Sequence, residues 1–255
     1  MVFLDTDTDR YVNGRLANGV YALRFGRCTP DLDARIADFL RYETAMGRTT
    51  LVYREYDFDV AGRIAVALAR TPPSSVPRPT DPRVVVHSTT HDRLASILHD
   101  GKILPAVAAR ERLPSVRPIG FLAFGEPDEY DRYVYFSAFG SASGELVVAS
   151  HQRGRVHTDP DARYEPGGRI YLDFRAMLSD GLIHRDGVHV GKAAGAVALA
   201  RYAVTTITAG ECGGEREPWT PGLFARAADE LFALRHPGWA ARDCRDDASR
   251  GIPSP

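Results

Sequence analysis

Residues 71–82 read Thr-Pro-Pro-Ser-Ser-Val-Pro-Arg-Pro-Thr-Asp-Pro, and the five prolines in that stretch limit what the chain can form around it. Each proline removes a backbone donor and turns the preceding residue away from helical geometry, so neither a helix nor a central strand can run through. Such a composition prefers extended polyproline geometry and reads as a linker. It parts a small piece, residues 1–70, from a longer one, residues 83–242. Residues 243–255 are polar, charged and proline-bearing and read as a frayed tail.

The smaller piece alternates in type. Val20–Phe25 and Thr50–Tyr53 are strand-like; between them Thr29-Pro30-Asp31 starts a helix with Leu32, Ile36, Phe39 and Leu40 on one face. A second amphipathic stretch, Val60–Ala69, completes a small α/β unit. The whole chain of 255 residues is 44% hydrophobic and 25% charged, an ordinary soluble balance. It has no apolar run of about 18 residues, and Asp5, Asp7 and Asp9 follow the first four residues at once, so a cytoplasmic protein is expected. Cys28, Cys212 and Cys244 are too scattered for a disulfide framework. A net charge of −1 gives no global attraction for nucleic acid. Lys102 and Lys192 are the only lysines; the arginine excess suits diphosphates, and a biased genomic base composition produces the same excess.

Three segments of the longer piece set polar groups on or beside strands. Arg83-Val84-Val85-Val86-His87 is β-branched and leads through Ser88-Thr89-Thr90 into a helical pattern, Leu94, Ile97 and Leu98, that stops at Gly101. A histidine there stands at the mouth of a sheet and can bond a ligand hydroxyl, or it simply completes a turn. His87 and His91 have a spacing used by metal sites, but His87 reads as strand and no nearby Glu or Cys completes a set, so no metal is expected. Tyr133-Val134-Tyr135-Phe136-Ser137 alternates like a strand and is broken by Ser141-Ala142-Ser143-Gly144. Its tyrosine face is either a stacking platform or core. After a strand Arg169–Phe174 and a helical turn ending at Asp180-Gly181, Leu182–Val190 reads as a strand. Asp186 then stands at its head beside a pocket, or in a surface Asp-Gly turn. A Gly/Ala connection leads to one long strand, Val197–Thr208, and Pro221–Leu234 reads as a helix burying Leu223, Phe224, Ala227, Leu231 and Phe232. Pro105–Tyr130, with Pro114, Pro118, Gly120 and Pro127, reads as a long loop of the kind that forms lids.

In this order the segments resemble the catalytic fold of the ADP-ribosyltransferase superfamily, in particular its diphtheria-toxin-like branch that includes the poly(ADP-ribose) polymerases. There a strand ends in His-Gly-[Ser/Thr], a helix follows with the pattern of Leu94 to Gly101, and a Tyr-Phe-[Ala/Ser] strand precedes a Ser-x-Ser element. The matching residues are His87-Ser88-Thr89, Tyr135-Phe136-Ser137 and Ser141-Ala142-Ser143, within a likeness spanning residues 83–208. The resemblance implies an α+β fold: a split antiparallel β-sandwich with flanking helices, beside the small N-terminal α/β unit.

It further implies NAD as co-substrate. His87 would bond the nicotinamide-side ribose, Ser88 backbone groups the carboxamide, Tyr135 would flank the ring and Ser143 bond its amide. Thr89, Phe136, Ser137 and Arg185 would line the same pocket. The family's glutamate, which bonds the ribose 2′-hydroxyl as positive charge develops, is matched in position by Asp186, one methylene shorter. Ser88 replaces the usual glycine, and Leu146 stands where some members have a second tyrosine. Asp186, His87 and Tyr135 are thus the expected catalytic residues of an enzyme that passes ADP-ribose to an acceptor the motifs do not identify: protein, nucleic acid or small molecule. Arg83, Arg110, Arg112 and Arg117 are diphosphate clamps or solvated charges. Ala176–Gly181 through Gly187–Val190 is also similar to RNA 2′-phosphotransferases, which use NAD and lack the glutamate. The histidine strand and its helix resemble DNA-targeting ADP-ribosyltransferase toxins. A module that only binds NAD or ADP-ribose is the remaining alternative.

Overall fold

A computed structural model describes residues 2–4, 12–15, 21–25, 31–48, 52–54, 60–112, 128–213 and 218–240. Its strands are β1 Val2–Leu4, β2 Val12–Arg15, β3 Tyr21–Phe25, β4 Val52–Arg54, β5 Val84–Thr89, β6 Lys102–Ile103, β7 Tyr133–Ala138, β8 Gly168–Asp173, β9 Ile183–His184, β10 Gly191–Ala194, β11 Val197–Ala198 and β12 Ala203–Thr208. With the helices they give a mixed α+β fold whose largest sheet has six strands and is mostly antiparallel. Two compact units are drawn from interleaved segments: residues 1–80, 105–134 and 181–195 in one, 81–104, 135–180 and 196–255 in the other. Among the described residues no helix is long and apolar enough to cross a membrane.

In the first unit β1 lies parallel to β3 and β4, and β2 antiparallel to β3. The helix Leu32–Ala45 follows β3; of its expected apolar face Ile36 and Phe39 are buried while Leu32 and Leu40 are half-buried, Tyr42 is buried as well, and the helix Val60–Arg70 packs against it. The proline-rich stretch is no loose linker. Arg78 grips Asp38 through two bonds of 2.6 Å, with both side chains nearly buried. Arg41 donates to the carbonyls of Leu68, Thr71 and Pro72, and Arg185 to those of Ser74 and Val76. A segment with few donors of its own leaves carbonyls unpaired, and arginine forks supply the missing partners.

Two further expectations in this unit are corrected. The stretch read as one loop holds a helix, Ala106–Arg112, whose first bond runs from the Ala109 N–H to the Pro105 carbonyl, and a turn of 3-10 helix at Asp128–Arg132. Its residues 113–127 lie outside the described ones. The strand expected over 182–190 is extended only at β9. There the Asp186 carboxylate takes the N–H groups of Val188 and His189, and Gly187 turns left-handed at φ 72°. A Cβ on Gly187 would lie 2.2 Å from the Arg35 carbonyl oxygen, so only glycine fits against that helix.

In the second unit β12, β8, β5 and β7 form an antiparallel ladder, with Val86 opposite Ser137 and His87 opposite Ile170. The helix His91–Asp100 ends at left-handed Gly101. The long strand expected over 197–208 is two strands on different partners, β11 with β6 and β12 with β8. A helical turn, Leu199–Tyr202, separates them where the Leu199 N–H donates to the Gly101 carbonyl. The helix Ser143–Arg153 begins inside the Ser-x-Ser element. Helix Pro221–Arg235 is capped by Thr220 and buries Phe224, Ala228 and Phe232 in a core with Val84, Val86, Val148, Tyr171 and Ile207. Leu223, expected in that core, is 38% exposed.

Arg78→Ala strands a buried carboxylate and is expected to lower unfolding free energy by about 3–5 kcal/mol in denaturant titration. The double change Asp38→Asn with Arg78→Met should recover much of that loss, because no buried charge is left alone.

Candidate functional site

His87 is half-buried on β5, and its Nδ1 lies 3.2 Å from the carbonyl oxygen of Tyr135 on β7. A carbonyl only accepts, so Nδ1 carries the hydrogen. Burial pushes the imidazole below its ordinary pKa; the bond to Tyr135 opposes this, and the charge of Arg93 adds to the lowering. The ring is therefore neutral at pH 7, with Nε2 a lone-pair acceptor that has no partner among the described residues.

The neighbours follow from the sheet. Ser88 sets its buried hydroxyl beside Glu145, close enough to lower that carboxyl's pKa though in no well-formed hydrogen bond. Thr89 is buried, Tyr135 half-buried, and Phe136, on the opposite face by alternation, is buried in the core. Ser137 donates to the Val86 carbonyl at 3.2 Å. A Cβ on Gly144 would lie 2.5 Å from Ser88 Oγ and 2.9 Å from Ser137 Oγ, so this glycine lets a helix start against both. Just before it, the Ser141 hydroxyl donates to Ser143 Oγ at 3.0 Å and accepts from the Ser143 N–H, and Ser143 is exposed. His87, Ser88, Thr89, Tyr135, Phe136, Ser137 and Ser143 are thus gathered in one unit.

Beneath them lies an ionic cluster that no sequence pattern marks. Arg169 on β8 has no exposed surface; Nη1 is 3.2 Å from Glu145 Oε1, Nη2 is 3.0 Å from Asp229 Oδ1, and both reach the Ser141 carbonyl. The Tyr171 hydroxyl donates to Asp229 at 2.7 Å, the Tyr164 hydroxyl to Glu145 at 2.6 Å, and the Gly140 N–H to Asp229 at 2.9 Å. Burial raises the pKa of both carboxyls and Arg169 opposes it. Burial likewise works against the guanidinium charge, and Asp229 and Glu145 more than restore it. A cavity of about 400 Å³ opens beside this cluster, lined by Phe139, Gly140, Ala142, Ala225 and Asp229; its buried carboxylate is already engaged.

Asp186 belongs to the other unit and is not the strand-head acid expected beside a pocket. Its side chain is buried. Oδ1 accepts from the N–H groups of Val188 at 3.0 Å and His189 at 2.9 Å, while Oδ2 meets His189 Nδ1 at 2.9 Å and Lys192 Nζ at 2.7 Å. Three of these are hydrogen bonds and the fourth is the ion pair with Lys192, so both oxygens are engaged. Burial works against its charge, but His189 and Lys192 outweigh it and hold the carboxyl well below the usual range. Lys192 is equally buried, with Nζ 3.7, 4.1 and 4.6 Å from the ring centres of Tyr42, Tyr130 and Tyr133. Burial pushes the ammonium pKa down and Asp186 resists.

The expected arginines are mostly committed elsewhere. Arg185 is buried on the proline-rich segment, Arg110 pairs with Asp131, and Arg83 lies 4.4 Å over Trp239 and donates to the Gly238 carbonyl. Arg112 is exposed; Arg117, Cys28, Cys244 and the tail lie outside the described residues, and Cys212 is a free thiol. Leu146 is half-buried on its helix. Among the described residues no group of three or more His, Cys, Asp or Glu is placed to hold a metal ion. Comparisons with protein-family models, curated proteins and solved structures find no match to this chain.

Asp186→Asn leaves Lys192 buried without a counter-charge and is expected to destabilise the protein by about 3–5 kcal/mol by thermal or denaturant unfolding. Adding Lys192→Met should recover part of it. Because the folded carboxyl is held low, its contribution is complete above the ordinary carboxylate range and fades as pH falls through the depressed value. Acid titration should therefore show a shallower loss of stability in the double variant than in the wild type.

Proposed function

We propose that this chain is an NAD-dependent ADP-ribosyltransferase with an ADP-ribosyltransferase-like fold, its donor site on β5 and β7. The observation that carries the reading is the fixed tautomer of His87. With Nδ1–H spent on the Tyr135 carbonyl, neutral Nε2 is left to accept a hydrogen bond from a ribose hydroxyl. Ser88 backbone groups are suited to a carboxamide, and Tyr135 to the flank of a nicotinamide ring. The antiparallel ladder, with a helix directly after the histidine strand, is consistent with the same assignment.

In the reaction the nicotinamide–ribose bond breaks with its electron pair leaving on the ring nitrogen, and an acceptor atom bonds C1′ and releases its proton. The protein's part is to hold the ribose and the ring while positive charge grows on the sugar. The four contacts on Asp186 favour a second reading, a module that holds NAD or ADP-ribose without turning it over.

Binding and free nicotinamide measured in one sample separate the two. Turnover that His87→Ala lowers by about tenfold or more is expected, the scale of a lost hydrogen bond in a water-poor site. Binding without release supports the module, and no NAD binding contradicts both readings. Since burial holds the His87 imidazole below its ordinary pKa, NAD affinity should hold through neutral pH and fall on acidification below the ordinary imidazole range, as the acceptor is protonated. Affinity that rises on acidification contradicts the assigned role.

A further inference from the structure

One face of the helix Pro221–Arg235 is apolar at both ends, charged at its middle and uncovered. Leu223 is 38% exposed, and Leu234, at 78%, is the barest large apolar side chain among the described residues. At about 100° per residue, Leu223, Ala227, Glu230 and Leu234 share an arc of about 60°, with Arg226 about 40° to one side. Arg226 and Glu230 are exposed, and neither makes a hydrogen bond or ion pair among the described residues. Arginine one turn before glutamate is the weaker order for a pair on one helix, which leaves both charges open to an outside partner.

The pattern is its own complement. The leucine pair and the charge pair share one centre on the helix, at Ala228–Asp229. A second copy laid antiparallel across a two-fold axis through that centre sets Leu223 against the partner's Leu234 and Arg226 against the partner's Glu230, and each contact occurs twice. Laid parallel in register, arginine would face arginine and glutamate would face glutamate, so charge selects the antiparallel arrangement. That arrangement also sets the positive N-terminal end of each helix beside the negative C-terminal end of the other. The cavity of about 400 Å³ lies on the Arg226 side of the stripe, walled by Ala225 and Ala233 on the helix and by Phe139 and Ala142 on the turn after β7. A leucine crossing the stripe on that side has an apolar slot to fill. A single exposed leucine is ordinary on a protein surface; two set symmetrically about an unpaired arginine and glutamate are what a self-complementary face requires.

We propose that this face joins two copies of the chain as an antiparallel, two-fold symmetric dimer. Two such helices bury about 1,000 Å² in total, the low end of specific interfaces, so the dimer exchanges with monomer at about micromolar concentration. Sedimentation velocity of the full chain from about 1 to about 100 µM tests it. The wild type should pass from monomer to dimer across that range. Leu234→Asp, Arg226→Glu and Glu230→Arg should each weaken association by about tenfold or more, and the double variant Arg226→Glu with Glu230→Arg should recover most of it. Arg226→Glu leaves two glutamates on the face and Glu230→Arg two arginines. An equimolar mixture of these two single variants should therefore form a mixed dimer at concentrations where each alone is monomeric. A wild type that stays monomeric at about 100 µM leaves the face to another partner or to none and overturns the proposal. So do a dimer indifferent to the three substitutions and a mixture of the two charge variants that stays monomeric.

Discussion

Arg169 is a full positive charge with no exposed surface, and the second unit is arranged around keeping it so. Such a charge is tolerable only when carboxylates and further hydrogen bonds surround it completely. Glu145, Asp229, the tyrosine hydroxyls and the Ser141 carbonyl supply them. These groups come from the helix Ser143–Arg153, the helix Pro221–Arg235, the turn between β7 and the first of these helices, the connection that carries Tyr164, and β8 itself. The demand of one guanidinium thus fixes where the Ser-x-Ser turn lies beside the histidine strand.

The first unit solves the same problem with different chemistry. Lys192 presents an ammonium, which needs no planar fork, and three tyrosine rings take the place of most oxygen acceptors. Asp186 supplies the counter-charge and also caps its own turn. Each role requires the ionised carboxylate. That leaves Asp186 suited to holding Lys192 and the turn, and places the chemistry of the donor reading on the neutral ring of His87.

Much of this was legible in the sequence where the signal is local. The helix Leu32–Ala45, the stop of the helix His91–Asp100 at Gly101, and the strands around Val84, Tyr133 and Arg169 follow from period, caps and β-branched runs. What escaped depends on distant partners. Gly191–Ala194 has little strand propensity and is extended because it pairs with Ile183 and His184. The break at Leu199 is set by the Gly101 carbonyl, about a hundred positions away and invisible to any window. Arg169 reads as an ordinary strand residue because its carboxylates lie 24 and 60 positions off. Lys192 left one faint trace: it is a single lysine, in a chain with two, set among glycines and alanines.

Of the site, the residues gathered on β5 and β7 were readable as a set because a ladder keeps sequence order. Long-range 1H–15N NMR of the His87 imidazole at pH 7, recorded alone and with NAD added, tests the central claim most directly. The account predicts the Nδ1–H tautomer in the free protein and a shift of the unprotonated Nε2 as NAD binds. An Nε2–H tautomer, or an Nε2 signal indifferent to saturating NAD, would contradict it.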